Sequence, residues 1–288
     1  MKKWNLVIDV AKCNNCNNCF LAVKDEHVAN DFPGYAAPQP LHGHRWLDIQ
    51  RRERGCVPMV DVAYLPTMCN HCDEAPCIKS CKDGAVYKRP DGIVIIDPRQ
   101  ASGKKEIVGT CPYGSVWWNT EKNVAQKWIF DAHLLDQGWK EPRCAQVCAT
   151  GAITSLSVED EEMERIAESE ALEVLHPEFG TKPRIYYRNL HRFTKCFIGG
   201  SVAIERDGVV DCLEGATATL SKGATEVAEQ RTDNYGDFKF DRLEPDSGAY
   251  TIKIAHPDHG AKAVDVRLGE SQYVGVIHLG GTKQQRAA

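Results

Sequence analysis

The sequence predicts an α+β chain in which a loop-rich, cysteine-dense first half is followed by a small antiparallel β-sandwich. Eleven of the 13 cysteines fall between Cys13 and Cys148, leaving only Cys196 and Cys212 beyond. After Gly199 the chain breaks into short alternating segments separated by Gly, Asn or Asp, the punctuation of antiparallel strands. Between these regions one acid-led amphipathic stretch near residues 157–175 reads as a helix. With 288 residues, 42% of them hydrophobic, the chain is long enough for two cores. We expect one domain over residues 1–195 and a second over 196–288.

Composition narrows the function before any motif is read. Thirty-five basic against 40 acidic residues leave a formal net charge of −5, which offers no basic field to nucleic acid. The cysteines are too sparse, in too long a chain, for a disulfide scaffold. The opening Met1-Lys2-Lys3-Trp4-Asn5-Leu6-Val7-Ile8-Asp9 loses its apolar character at Asp9, so no signal peptide is expected. No window approaches 18 consecutive apolar residues, so no membrane span is expected either. Clustered thiols then point to metal in a reducing cytoplasm.

The first motif is Cys13-Asn14-Asn15-Cys16-Asn17-Asn18-Cys19. Three thiolates at this spacing can each bind a different iron of one cluster, as in the opening of the bacterial ferredoxin run, whereas a third Cys so close is awkward for one tetrahedral zinc. The second motif runs Cys69, Cys72, Cys77 and Cys81 and, read alone, is compatible with zinc; beside the first it reads as iron–sulfur. Because a ferredoxin run sends its fourth Cys to the other run's cluster, donors must be sought downstream. Two fragments qualify: Cys111-Pro112-Tyr113-Gly114, and Cys144 to Cys148 followed by Gly151-Ala152.

The helix candidate opens with Ser157 and Asp160 as an N-cap pair and with Glu159 to Glu162 where negative charge suits a helix start. Met163, Ile166 and Ala167 supply its apolar stripe. In the tail we expect strands at Ser201–Ile204, Thr217–Leu220, Asp237–Phe240, Tyr250–Ile254 and Val274–Leu279, with Phe238 and Phe240 on one face. Their turns, Asn234-Tyr235-Gly236-Asp237-Phe238 and Gly248-Ala249-Tyr250, resemble those of transthyretin-like or carboxypeptidase-regulatory-like β domains.

The four cysteine motifs together resemble the double ferredoxin-like electron-transfer subunits that accompany molybdopterin oxidoreductases of the dimethyl sulfoxide reductase family. In that family the first motif pairs with the fourth and the second with the third. The resemblance implies that Cys13, Cys16, Cys19 and Cys148 hold one 4Fe-4S cluster and that Cys69, Cys72, Cys77 and Cys111 hold another. The family's other two sites are dismantled: one would need cysteines at Val23, Trp128 and Asp131 beside Cys144, the other three ligands from the stretch Ala101 to Ile107 beside Cys81. Cys81 and Cys144 are therefore expected to pack as small apolar groups.

Further stretches, among them Gly43-His44-Arg45-Trp46, Glu121 to Lys127, Ala132-His133-Leu134-Leu135 and Gly180 to Tyr187, resemble the small subunits of pyrogallol-phloroglucinol transhydroxylase and resorcinol hydroxylase over nearly the whole chain. Those relatives imply a large catalytic partner carrying molybdenum or tungsten on pterin, and a reaction on a polyhydroxylated aromatic. No substrate chemistry is expected on this chain, because no nucleophile triad, phosphate loop or carboxylate pair stands out. The rival readings are a redox- or iron-responsive binding protein with structural clusters, and a zinc-stabilised scaffold. Arg45 to Arg54 reads either as a partner contact or as a solvated basic loop. His42, His44, His71 and His133 are not expected as ligands, and Cys56, Cys196 and Cys212 are expected as buried thiols.

Overall fold

The structure, a computed structural model, describes residues 1–280, so residues 281–288 of the expected second domain lie outside the described residues. The chain forms two compact units, one of Met1–Arg51 with Tyr64–Leu190, the other of Arg52–Ala63 with the chain from His191 onward. The division differs from a single cut at residue 195, because a segment of the first half counts with the second unit.

Strand β1 (Lys3–Asp9) is followed by helix α1 (Asn18–His27) and a hairpin of β2 (Leu47–Cys56) and β3 (Met59–Met68). Then come α2 (Pro76–Ser80), the hairpin β4 (Val86–Lys88) with β5 (Val94–Ile96), a 3-10 turn at Lys105–Thr110, and the hairpin β6 (Trp117–Asn119) with β7 (Val124–Gln126). Short helices α3 (Ala132–Asp136) and α4 (Arg143–Gln146) lead to β8 (Ile153–Val158), α5 (Asp160–Ser169) and β9 (Ile185–Arg188). Strand β1, with Leu6, Val7 and Ile8 buried, is the middle of a three-stranded sheet. It pairs antiparallel with β8, Ile8 opposite Ile153, and parallel with β9, Ile8 opposite Tyr187.

The expected helix is α5, and Met163 is its buried residue. Its start corrects the sequence reading: Ser157 belongs to β8, and Glu159 occupies the N-cap position without a side-chain capping bond. Asp160 is drawn instead to Arg184, at 3.0 Å, and to Lys3, ion pairs that outweigh a cap.

In the second unit α6 (His191–Thr194) precedes β10 (Cys196–Arg206), β11 (Val209–Cys212), β12 (Thr217–Lys222), β13 (Thr225–Arg231), β14 (Asp237–Leu243), β15 (Gly248–His256), β16 (Gly260–Leu268) and β17 (Gln272–His278). One four-stranded sheet has β10 joined to β11, β14 and β17; the other runs β13-β12-β15-β16. Alternate residues of both sheets meet in one core: Ile198, Val202 and Phe240 from the first, Leu220, Ile252 and Ile254 from the second. Gly200 in β10 is required by space, since a Cβ there would stand 2.8 Å from Phe238 and Val274. The fold is thus α+β with a C-terminal β-sandwich.

The Arg45 to Arg54 stretch is not a solvated loop. It enters β2, and Arg54 is wholly buried in the second unit. Its guanidinium binds Asp61, reaches Asp241 at 2.9 Å and lies 5.4 Å over the Phe197 ring, so the charge is compensated where water cannot reach it. Cys196 is buried, but Cys56 and Cys212 are exposed, contrary to expectation, because each stands at a strand end rather than in the core.

Candidate metal centre

The β1/β8 ladder positions the first set of thiols. Beyond Asp9 the chain turns at once: the Asp9 side chain accepts from the Ala11 N–H at 3.0 Å, and its carbonyl accepts from Lys12 and Cys13. Asn15 and Asn17 then adopt left-handed backbone, at φ 60° and 62°, a region Asn tolerates better than most residues. The Asn17 amide also donates to the Asn15 carbonyl at 2.9 Å. The repeated Asn pairs thus let the backbone coil so that Cys13, Cys16 and Cys19 line one side of the turn, Cys19 buried, Cys13 half-buried and Cys16 exposed. At the same end of the ladder, opposite Ile8, the turn before Ile153 carries Cys148, with Gly151 at φ 62°. Cys13, Cys16, Cys19 and Cys148 line one cavity, which Ile49, Pro66 and Ile153 also line.

The second set is built from three connections. Cys69 and Cys72 follow β3, Cys77 sits in the first turn of α2 behind Pro76, which suits that position, and Cys111 follows the 3-10 turn. Cys69, Cys72 and Cys77 are buried, and the four thiols lie close enough that Cys69 and Cys111 act on both Cys72 and Cys77. His71, between two of them, is not aimed at metal through Nδ1, which accepts the Val94 N–H at 3.0 Å. Burial, aided by the cations Lys127, Lys88 and Arg184, holds His71 well below the usual imidazole range, so it is neutral.

Electrostatics give both sets one character. Burial pushes the Cys19 and Cys72 thiols up to about 12, and repulsion from neighbouring sulfurs adds to the rise. Cys77 is raised to about 11, and Cys13 and Cys111 move the same way, burial again leading. Backbone N–H groups oppose that trend by pointing at the sulfurs: Asn15 to Cys13, Phe20 to Cys19, Ile78 to Cys77, and Tyr113 and Ser115 to Cys111. The Ile153 N–H reaches the Cys148 sulfur at 3.4 Å. Sulfurs gathered in fours with N–H donors aimed at them are a donor set that a positive metal would stabilise in the thiolate form. This donor chemistry fits an iron–sulfur cluster in each place.

The two abandoned positions are filled. Around Cys81, the side chains of Ala101, Ile107, Ala85 and Val94 make a continuous apolar cluster, and Lys104, close enough to act on Cys81, pairs with Asp83. Around Cys144, which is fully buried, Trp128 and Phe130 stack at 4.8 Å and Asp131 accepts from Trp128 Nε1 at 3.2 Å and from the Arg143 N–H at 2.8 Å. Asp131 also pairs with buried His27 at 3.1 Å. Burial and the Asp131 charge raise the Cys144 thiol well above its ordinary value. Sequence reading missed Thr181, whose hydroxyl bonds Cys72 and meets Tyr113 at 2.6 Å, because it lies some 110 residues downstream with no motif of its own. It also missed Lys127, a buried cation that acts on two thiols of the second set.

Comparison with known proteins agrees with this picture. A 4Fe-4S dicluster domain model matches residues 60–157. The pyrogallol hydroxytransferase small subunit of Pelobacter acidigallici is 50% identical over 257 residues, 88% of this chain and 91% of the relative. A tetrathionate reductase subunit of Salmonella typhimurium strain LT2 is 31% identical across 65% of this chain and 73% of its own length. The arsenate respiratory reductase iron-sulfur subunit of Shewanella sp. strain ANA-3 is 27% identical across 64% of this chain and 95% of its own. With identity of 50% over nearly its full length, the chain belongs to the pyrogallol hydroxytransferase small-subunit family, among the iron–sulfur subunits of oxidoreductase complexes.

Proposed function

We propose that Cys13, Cys16, Cys19 and Cys148 hold one 4Fe-4S cluster, that Cys69, Cys72, Cys77 and Cys111 hold a second, and that the chain is the electron-transfer subunit of a heteromeric oxidoreductase. The observation that carries the reading is the meeting of Cys148 with the first motif at one end of the β1/β8 ladder, in a cavity lined by four thiols. Bound clusters would supply one-electron storage and transfer. The chain's own part is to bury them, aim N–H groups at sulfur and exclude water, with no substrate chemistry of its own.

The catalytic partner is a large subunit carrying molybdenum or tungsten on pterin, and the substrate a polyhydroxylated aromatic. Support for the substrate class comes from the 50% identity to a pyrogallol hydroxytransferase small subunit. No helix among the described residues is long and apolar enough to cross a membrane. A cytoplasmic location suits a chain that keeps so many reduced thiols.

Anaerobically purified protein should carry roughly eight iron and eight acid-labile sulfide per chain and copurify with a large pterin-containing subunit. Zinc without sulfide overturns the cluster reading, and roughly twelve iron means that a third site is filled.

A further inference from the structure

Lys127 is a buried lysine whose ammonium has no carboxylate partner among the described residues. It donates to the carbonyls of Val94 and Trp128, the latter at 3.1 Å. The neighbouring cations are compensated: Lys88 pairs with Asp73 at 2.7 Å, and Arg184 pairs with Asp73 at 2.6 Å and Asp160 at 3.0 Å. A lone ammonium out of water costs several kcal/mol unless an anion stands nearby. Val94, which Lys127 holds through its carbonyl, packs in one cluster with Cys72 and Cys77 and donates its N–H to His71, the residue between Cys69 and Cys72. Lys127 is also close enough to Cys77 and Cys111 for its charge to act on them.

In the first set the leading influences on Cys13 and Cys19 are burial, backbone N–H groups and the other sulfurs.

We propose that Lys127 is the fixed countercharge of the second cluster: its buried ammonium stabilises the state carrying one more electron and so raises that cluster's potential. The proposal rests on the cluster assignment above. The step it concerns is the gain of one electron from a donor, in which no bond forms or breaks and only the negative charge beside Lys127 increases.

The test is an EPR-monitored redox titration of the full, cluster-loaded protein, with the second cluster's signal identified as the one that survives in Cys148→Ala. A unit charge within about 10 Å at an effective dielectric near 20 alters a one-electron equilibrium by about tenfold or more. At the potential where the second cluster of the parent protein is half reduced, Lys127→Met should lower its reduced-to-oxidised ratio about tenfold, equivalent to about 59 mV. The first cluster should move by less than about twofold, and Lys127→Arg should keep the parent ratio. Lys127→Gln, which retains donors without the charge, should behave like the Met variant and serves where Met fails to assemble. An unchanged ratio in the loaded Met or Gln variant, an equal shift of both clusters, or a shift in Arg as large as in Met overturns the role of the charge. Parent protein without iron and sulfide overturns the cluster assignment itself, a separate and recognisable failure.

Discussion

Cys144 and Cys148 stand four residues apart in one motif, yet the proposed ligand sets make opposite demands on them. Cys148 lines the cavity of the first set and accepts the Ile153 N–H, whereas Cys144 is wholly buried beside Asp131. Cys144→Ala removes one sulfur from a packed place, a change comparable to losing a buried methylene with a small cavity, about 1 kcal/mol. In a chain of this size that lowers the melting temperature by about 2–4 °C. Iron should stay near eight per chain, because no cluster loses a ligand. Cys148→Ala leaves three thiols where the first cluster needs four, so iron should fall to roughly four per chain. Iron and sulfide analysis beside EPR of the dithionite-reduced proteins decides the matter. Loss of four irons in Cys144→Ala with full retention in Cys148→Ala would refute the pairing of the first motif with the fourth.

Four further outcomes are expected. Arg54→Met should destabilise the second unit by about 3 kcal/mol, the low end for breaking a buried pair, because Asp61 keeps Arg192 at 2.6 Å and Asp241 keeps Lys239 at 3.5 Å; denaturant titration measures it. Burial works to raise the Asp61 carboxyl, but bonds and charge from Arg192 and Arg54 bring it down to about 2. A depressed carboxylate contributes stability above its unfolded pKa and loses it as pH falls through the folded one, so acid titration should show stability from this group lost between about pH 4 and pH 2, and Arg54→Met should narrow that window. Asp131→Ala, which strands the Trp128, His27 and Arg143 donors in a sealed place, should cost about 3–5 kcal/mol by chemical unfolding. The raised thiols of both sets must lose protons to bind iron, so reconstitution of the iron-free chain should strengthen as pH rises from about 7 to 9, measured as iron and sulfide retained after gel filtration.

Ligand-bearing turns were legible because their geometry is local. The Cys-Asn-Asn repeat encodes both its donors and the left-handed coiling that gathers them, and each follows from residue type. Strands β10, β12, β14, β15 and β17 were legible for the same reason, with Phe238, Phe240, Ile252 and Ile254 marking the buried face at period two. β13 carries Thr225 to Arg231 with nearly every side chain exposed, and β16 exposes the first half of Gly260–Leu268, so neither shows a buried face in its sequence. Ladder hydrogen bonds to β12 and β15 make them strands, a property of their neighbours.

By itself the sequence determined the class of chemistry and its emptied places: thiols at cluster spacing, and residues at 23, 128 and 131 or over 101–107 that cannot ligate as Cys does. Spacing along the chain carries that information because each turn closes within a few residues. Only the tertiary structure decided what stands in the vacated places, an aromatic stack with a His27–Asp131 pair in one and aliphatic packing in the other. It also decided that Arg54 is a buried ion-pair centre and that Lys127 lies uncompensated beside the second set of thiols. Burial and charge compensation depend on what arrives from tens of residues away, and a side chain's own letter does not say whether a carboxylate will be there to meet it.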